Sequence, residues 1–159
     1  MITPGRAVKD VDISQNTNTN EIFKELEESG GFEARNVAEG VDILYNMISD
    51  KKCTRFLSFI GAIVSTGFRG IIRDMIKKEW CDVVITTCGA LDHDIAKHFS
   101  EYKEGSFTMD DRELADQKIH RLGNVLVPME SYGPLIEEKV QTILENAYNE
   151  GKKEMSTAD

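Results

Sequence analysis

Between Thr54 and Phe99 the chain reads strand, small-residue loop, helix, then strand, small-residue loop, helix again. Thr54 to Ile60 (TRFLSFI) is short, aromatic and β-branched, the composition of a buried strand. Gly61 to Gly67 (GAIVSTG) follows as a loop, and Phe68 to Lys78 reads as a helix with Phe68, Ile71, Ile72, Met75 and Ile76 facing inward. Asp82 to Thr87 (DVVITT) is a second strand, Cys88-Gly89-Ala90 a second loop, and Leu91 to Phe99 a second helix. Strands joined by a crossover helix pair in parallel, and such sheets bury both faces under helices. The order therefore predicts an α/β fold with a parallel sheet flanked by helices.

The flanking segments fit around this unit. Residues 1–20 read as an extended, polar lead-in, and 21–159 as the α/β domain. Asn16-Thr17-Asn18-Thr19-Asn20 offers caps for a helix near Glu21 to Glu28, which Gly30-Gly31 ends. A second helix runs from about Glu33 to Ser49, with Val37, Val41, Leu44 and Ile48 as its apolar stripe. Beyond Phe99, Glu101 to Gln117 is a polar excursion with a short helix at Asp110 to Gln117. Gly123 to Pro128 is a turn entering an extended segment, and Leu135 to Tyr148 is an amphipathic helix. Ser156-Thr157-Ala158-Asp159 matches a capping box, a signal that starts helices. It predicts a chain cut in mid-fold, with a natural frayed terminus as the alternative.

Composition bounds the function. Asp plus Glu total 28 against 19 Lys plus Arg, a formal charge of -9. Neutralisation of phosphates by cations dominates affinity for nucleic acid, so a nucleic-acid partner is disfavoured and a cationic partner favoured. The three cysteines, Cys53, Cys81 and Cys88, form no CxxC pair. With no apolar leader and no run of ~18 apolar residues, they predict a cytoplasmic protein without a membrane partner.

In open parallel sheets, ligands bind beyond the carboxyl ends of the strands, here at Gly61 to Gly67 and Thr87 to Asp94. Small residues opening a helix can cradle a phosphate or dinucleotide with backbone N–H groups. They equally serve tight strand-to-helix packing, and the first loop is not GxGxxG. Asp92, His93 and Asp94 stand at a helix start. They either stabilise its N-terminal dipole or recognise a cationic substrate, with His93 available for proton transfer. Consecutive positions point around the helix, so these three do not make a metal site. Cys88 reads as a small buried residue or as a thiol of lowered pKa at a helix start. No nucleophile–base pair, GxSxG or Walker loop is visible.

Several segments, in order, resemble deoxyhypusine synthases. Ser29 to Asn36 (SGGFEARN) resembles the start of the family's helical region. Phe56 to Arg73 (FLSFIGAIVSTGFRGIIR) and Asp82 to Lys97 (DVVITTCGALDHDIAK) resemble its two cofactor-contacting strand–loop–helix segments. Ile119 to Pro128 (IHRLGNVLVP) with Glu130-Ser131-Tyr132 matches a further signature. The TTCG…LDHD form is closer to the archaeal branch. His93 departs from the eukaryotic pattern, and Gly61-Ala62 replaces a Ser-Asn pair.

The resemblance implies a Rossmann-like fold of the deoxyhypusine synthase and sirtuin kind, and an NAD-dependent aminobutyl transferase. Such an enzyme oxidises spermidine with NAD and passes the four-carbon unit through an enzyme lysine to a lysine of the translation factor 5A precursor. By motif position Gly61, Ala62, Ile63, Val64 and Ser65 would face the dinucleotide, Thr87, Cys88 and Gly89 would lie along its phosphates or ribose, and Asp92 and His93 would meet the polyamine. The family is a homotetramer with sites at dimer interfaces. Its nucleophilic lysine lies in a C-terminal half, so the resemblance implies an N-terminal portion with no catalytic residue of its own. Lys97 and Lys118 do not match the nucleophile's context. A homospermidine synthase-like polyamine transferase, or a non-catalytic NAD-binding subunit that needs a partner chain, are the alternatives.

Overall fold

The structure is a computed structural model that describes residues 5–156. Thr157, Ala158 and Asp159 of the predicted capping box lie outside the described residues. The chain divides into two compact units, Met1–Arg55 and Phe56–Asp159.

In the first unit, helix α1 (Thr19–Ser29) packs on α2 (Ala34–Ser49). Asn18 caps α1 through a reciprocal box: its side chain accepts from the Glu21 amide at 3.1 Å, and the Glu21 carboxylate accepts from the Asn18 amide at 2.9 Å. Gly30 ends the helix in the left-handed conformation (φ 69°), which costs glycine nothing. Within α2 only Ala38 is buried, so the predicted stripe is corrected. Val37, Leu44 and Ile48 are exposed, because one short partner helix covers only a narrow face.

In the second unit, β1 (Phe56–Phe59) and β2 (Val83–Thr86) pair in parallel, Phe56 opposite Val83 and Phe59 opposite Thr86. The crossover between them is α3 (Phe68–Lys77), and α4 (Gly89–Phe99) follows β2. The predicted βαβ unit is therefore present, with two corrections. Gly61–Ser65 is a turn of 3-10 helix rather than a loop, closed by the Ile63 amide on the Ile60 carbonyl. Phe68, Ile71 and Ile76 of α3 are exposed, since a two-stranded sheet is too narrow to cover that face; only Ile72 and Met75 are half-buried.

The polar excursion carries β3 (Lys103–Glu104) and α5 (Asp111–Asp116), capped by the Asp110 side chain on the Arg112 amide. A hairpin then joins β4 (Ile119–Leu122) to β5 (Val125–Pro128) through Gly123-Asn124, with Gly123 at φ 64°. These strands form an antiparallel sheet in the order β3-β5-β4. Helix α6 (Met129–Asn149) begins at Met129 rather than Leu135. Its first turn is held by the Ser131 hydroxyl on the Pro128 carbonyl (2.7 Å) and the Met129 amide on the Lys118 carbonyl (2.9 Å), which offset the poor helix signal of Gly133-Pro134. Along α6, Ile143 and Leu144 of the predicted stripe are exposed and Ala147 is buried. The core is built of small and medium side chains: Val64, Ala90, Ala96, Leu114, Val127 and Ala147. Among the described residues, no helix is long and apolar enough to cross a membrane.

Candidate functional site

The two strand ends are locked to each other through the hydroxyls of Thr86 and Thr87. The Gly61 amide donates to Thr87 Oγ1 at 3.0 Å, and the Thr86 hydroxyl donates to the Phe59 carbonyl at 2.9 Å. A Cβ added at Gly61 would overlap the Ala90 amide nitrogen and lie 2.7 Å from both the Gly89 carbonyl carbon and Thr87 Oγ1. Only glycine allows the 3-10 turn to pass this close beneath the start of α4. The small residue at position 61 is thus used for packing, one of its two sequence readings.

The predicted cofactor residues separate by depth. Gly61, Val64 and Ser65 are buried, and Ala62, Ile63 and Gly89 are half-buried. Thr87 and Cys88 are exposed where β2 runs into α4, and the Cys88 thiol is free. Cys88 is therefore not the small buried residue that one of its sequence readings made it. The turn is also held from below. Lys97 Nζ donates to the Ser65 carbonyl at 2.9 Å and the Thr66 carbonyl at 2.8 Å. Burial, with the neighbouring Arg69 charge, lowers the Lys97 pKa from its ordinary value. Beside these elements, a groove of about 420 Å³ runs between Phe59, Val64, Ile72, Thr86 and Leu91, with Arg69 among its lining residues. Arg69 Nε of α3 is paired with Asp94 Oδ1 of α4 at 2.6 Å, so Asp94 is engaged in tying the two helices.

Asp92 and His93 are adjacent in sequence, and both reach Tyr132 of α6. Asp92 is half-buried, and the Tyr132 hydroxyl of α6 donates to its Oδ2 at 3.3 Å. His93 is only 7% exposed. Its Nδ1 shares a 3.0 Å hydrogen bond with the Tyr102 hydroxyl, and its ring lies 5.0 Å from that of Tyr132. Burial holds the imidazole pKa below its ordinary value; the Asp92 charge opposes this and Lys97 reinforces it. Burial, then Tyr132 and Asp92, pushes the Tyr102 phenol up to about 12. The centre at neutral pH is therefore a neutral imidazole between two protonated phenols, with a carboxylate at its edge and the Lys97 ammonium 5.7 Å from the Tyr102 ring. Such an arrangement can hold a cation at the carboxylate and exclude water behind it.

Sequence reasoning singled out Asp92 and His93 but gave no site role to Tyr102, Tyr132 or Lys97. His93 and Lys97 are four apart on one helix, so their common face was readable. The two tyrosines come from the segment before β3 and from α6, which local spacing does not connect to α4.

The family model for deoxyhypusine synthase matches residues 21–159. A "Probable deoxyhypusine synthase" of Picrophilus torridus is 49% identical over 149 residues, covering 94% of this chain and 47% of the relative. One from Thermoplasma acidophilum is 47% identical over 154 residues, covering 97% of this chain and 49% of the relative. A crystal structure from Entamoeba histolytica assigned to the same family aligns with a TM-score of 0.45 and 22% identity, over 69% of this chain and 44% of that one. The chain spans about half the length of the curated archaeal relatives it matches. With the match running through both strand ends, α4 and the hairpin, this chain belongs to the deoxyhypusine synthase family.

Proposed function

We propose that the chain is the cofactor- and polyamine-binding portion of a deoxyhypusine synthase. The enzyme transfers the 4-aminobutyl group of spermidine to a lysine of the translation factor 5A precursor, the first step of hypusine biosynthesis. The family match over residues 21–159 carries this reading, because it includes every predicted site residue. The same reading gives the whole enzyme a Rossmann-like, sirtuin-like core, a homotetrameric assembly and a cytoplasmic location.

The residues fit a dinucleotide in two respects. The strands β1 and β2 end side by side, and Thr87 and Cys88 are exposed at the start of α4, whose dipole favours a phosphate. Gly61 contributes by shaping the turn, since its amide is engaged by Thr87. Bound there, NAD supplies the hydride acceptor that turns the polyamine's amine into an imine. Asp92 binds an ammonium of the polyamine, and the half-buried Tyr102 and Tyr132 with the buried His93 beside it keep that charge less screened than in open water. No lysine of this chain is assigned as nucleophile, and the 159-residue chain by itself is expected to transfer no aminobutyl group.

Alkylation of Cys88 tests the cofactor reading. With NAD present, labelling of Cys88 by a maleimide slows several-fold while labelling of the half-buried Cys53 and Cys81 is unchanged. Equal labelling of Cys88 with and without saturating NAD removes the dinucleotide from this site. Mixing the chain with labelled spermidine, NAD, the acceptor factor and the remaining half of an archaeal relative then identifies the product. Label appears in protein for this reading and in free polyamine for a homospermidine synthase.

A further inference from the structure

We propose that Tyr132 is a positioning residue for the Asp92 carboxylate, and that His93 supports Tyr132 from inside the fold instead of meeting the ligand. The proposal rests on the reading of Asp92 as a polyamine ligand and deepens it.

Tyr132 enters from α6, forty residues along the chain from Asp92, so the bond is a tertiary choice and not a helix cap. A carboxylate accepts at two oxygens; a hydroxyl donor on Oδ2 orients the group and leaves Oδ1 for an ammonium. Tyr132 is itself held. Ser131, 4% exposed, ties the first turn of α6 to the Pro128 carbonyl, and the His93 ring lies beneath the phenol at a tilt of 37°. His93 is in turn fixed by Tyr102 at 3.0 Å. With Nδ1 engaged and only 7% of the residue exposed, little of the imidazole is left for a ligand ammonium at Asp92. A neutral residue there also avoids a protein cation competing with the polyamine for the same carboxylate. The spacing of Asp92 and His93 gives two candidate ligands; the geometry keeps one as ligand and makes the other its support.

The test is calorimetric binding of spermidine to the 159-residue chain, with thermal melting read in parallel. Wild type binds, and Asp92→Asn weakens binding strongly. Tyr132→Phe, which removes only the hydroxyl, is expected to weaken spermidine binding about tenfold, the scale of one hydrogen bond to a charged group. In the Asp92→Asn background Tyr132→Phe has no further effect. Asp92→Glu keeps the charge but displaces the carboxylate by one methylene, and is expected to lose affinity by a similar factor; this arm stands if Tyr132→Phe fails to fold. Full affinity in both Tyr132→Phe and Asp92→Glu, with Asp92→Asn still weak, overturns the positioning role alone. Full affinity in Asp92→Asn, or no binding by wild type, overturns the polyamine reading and this proposal with it. A lower melting temperature in Tyr132→Phe with unchanged affinity makes the bond merely structural and also overturns it.

Discussion

Two residues set the local limits of the site. Gly61 has no room for a side chain, because the obstructing atoms are backbone of Gly89 and Ala90 and cannot rotate away. Gly61→Ala is expected to cost about 3 kcal/mol, as overpacking against rigid backbone does, read as a lowered urea midpoint at unchanged slope. Gly105 is the contrast: a Cβ there meets side-chain atoms of Leu126 at 2.8 Å and Met109 at 2.9 Å, which can shift, so Gly105→Ala costs less. His93 sets the pH behaviour. Its folded pKa lies below the ordinary 6.5, mainly through burial, so the folded state prefers the neutral ring. Its contribution is fully present above pH ~6.5 and is lost as pH falls through the folded value, because the unfolded chain takes up the proton first. Denaturant titrations from pH 7.5 to 5 should show this loss, and His93→Gln should flatten it. An unchanged slope in His93→Gln assigns the titration elsewhere.

At the scale of elements, α4 organises the second unit through one inward face. Ala90, His93, Ala96 and Lys97 reach, respectively, Gly61, Tyr102, the core and the carbonyls that end the 3-10 turn. Lys97→Met keeps the stem's packing but leaves the Ser65 and Thr66 carbonyls without their donor. The expected cost is about 2 kcal/mol, with faster amide exchange confined to residues 61–66; uniform exchange across the unit would make Lys97 a general packing residue. Much of this level was legible in the sequence. A cap among Asn16 to Asn20 before the first helix, the strands at Phe56 and Val83, and helices α3 and α4 follow from local composition and periodicity. The hairpin was half legible: Gly123-Asn124 marks its turn, but Ile119–Leu122 is short and has two adjacent polar residues, His120 and Arg121, between its apolar ends, so β4 lacked the alternating apolar signature of a strand. The Asp92–Tyr132 and His93–Tyr102 bonds were not legible, because tertiary packing brings α4, α6 and the segment before β3 together there. The same limit explains the stripes of α2, α3 and α6: periodicity shows which residues share a face, not whether a partner covers it.

At the scale of the molecule, the exposed apolar surface of the second unit governs behaviour in solution. Parallel strands are ordinarily covered on both faces, and two strands alone make a marginal sheet. Here Phe56 is 63%, Ile85 56% and Ile60, just past β1, 74% exposed, and the sheet has two strands and therefore two open edges. Unpaired edges beside apolar side chains favour association. The formal charge of -9 opposes it through repulsion that salt screens over ~10 Å at 0.1 M. Salt separates an apolar driver from attraction between unlike charged patches. If apolar surface drives association, the mass measured by light scattering rises with protein concentration and rises further with added salt. If attraction between unlike charged patches drives it, salt dissociates the particles. The first outcome is expected, and Ile85→Thr should shift the concentration dependence upward, because it removes apolar area from the exposed strand while keeping β-branching. A monomer at all concentrations and salt levels would show that α3, α4 and the strands shield each other better than their exposed side chains indicate.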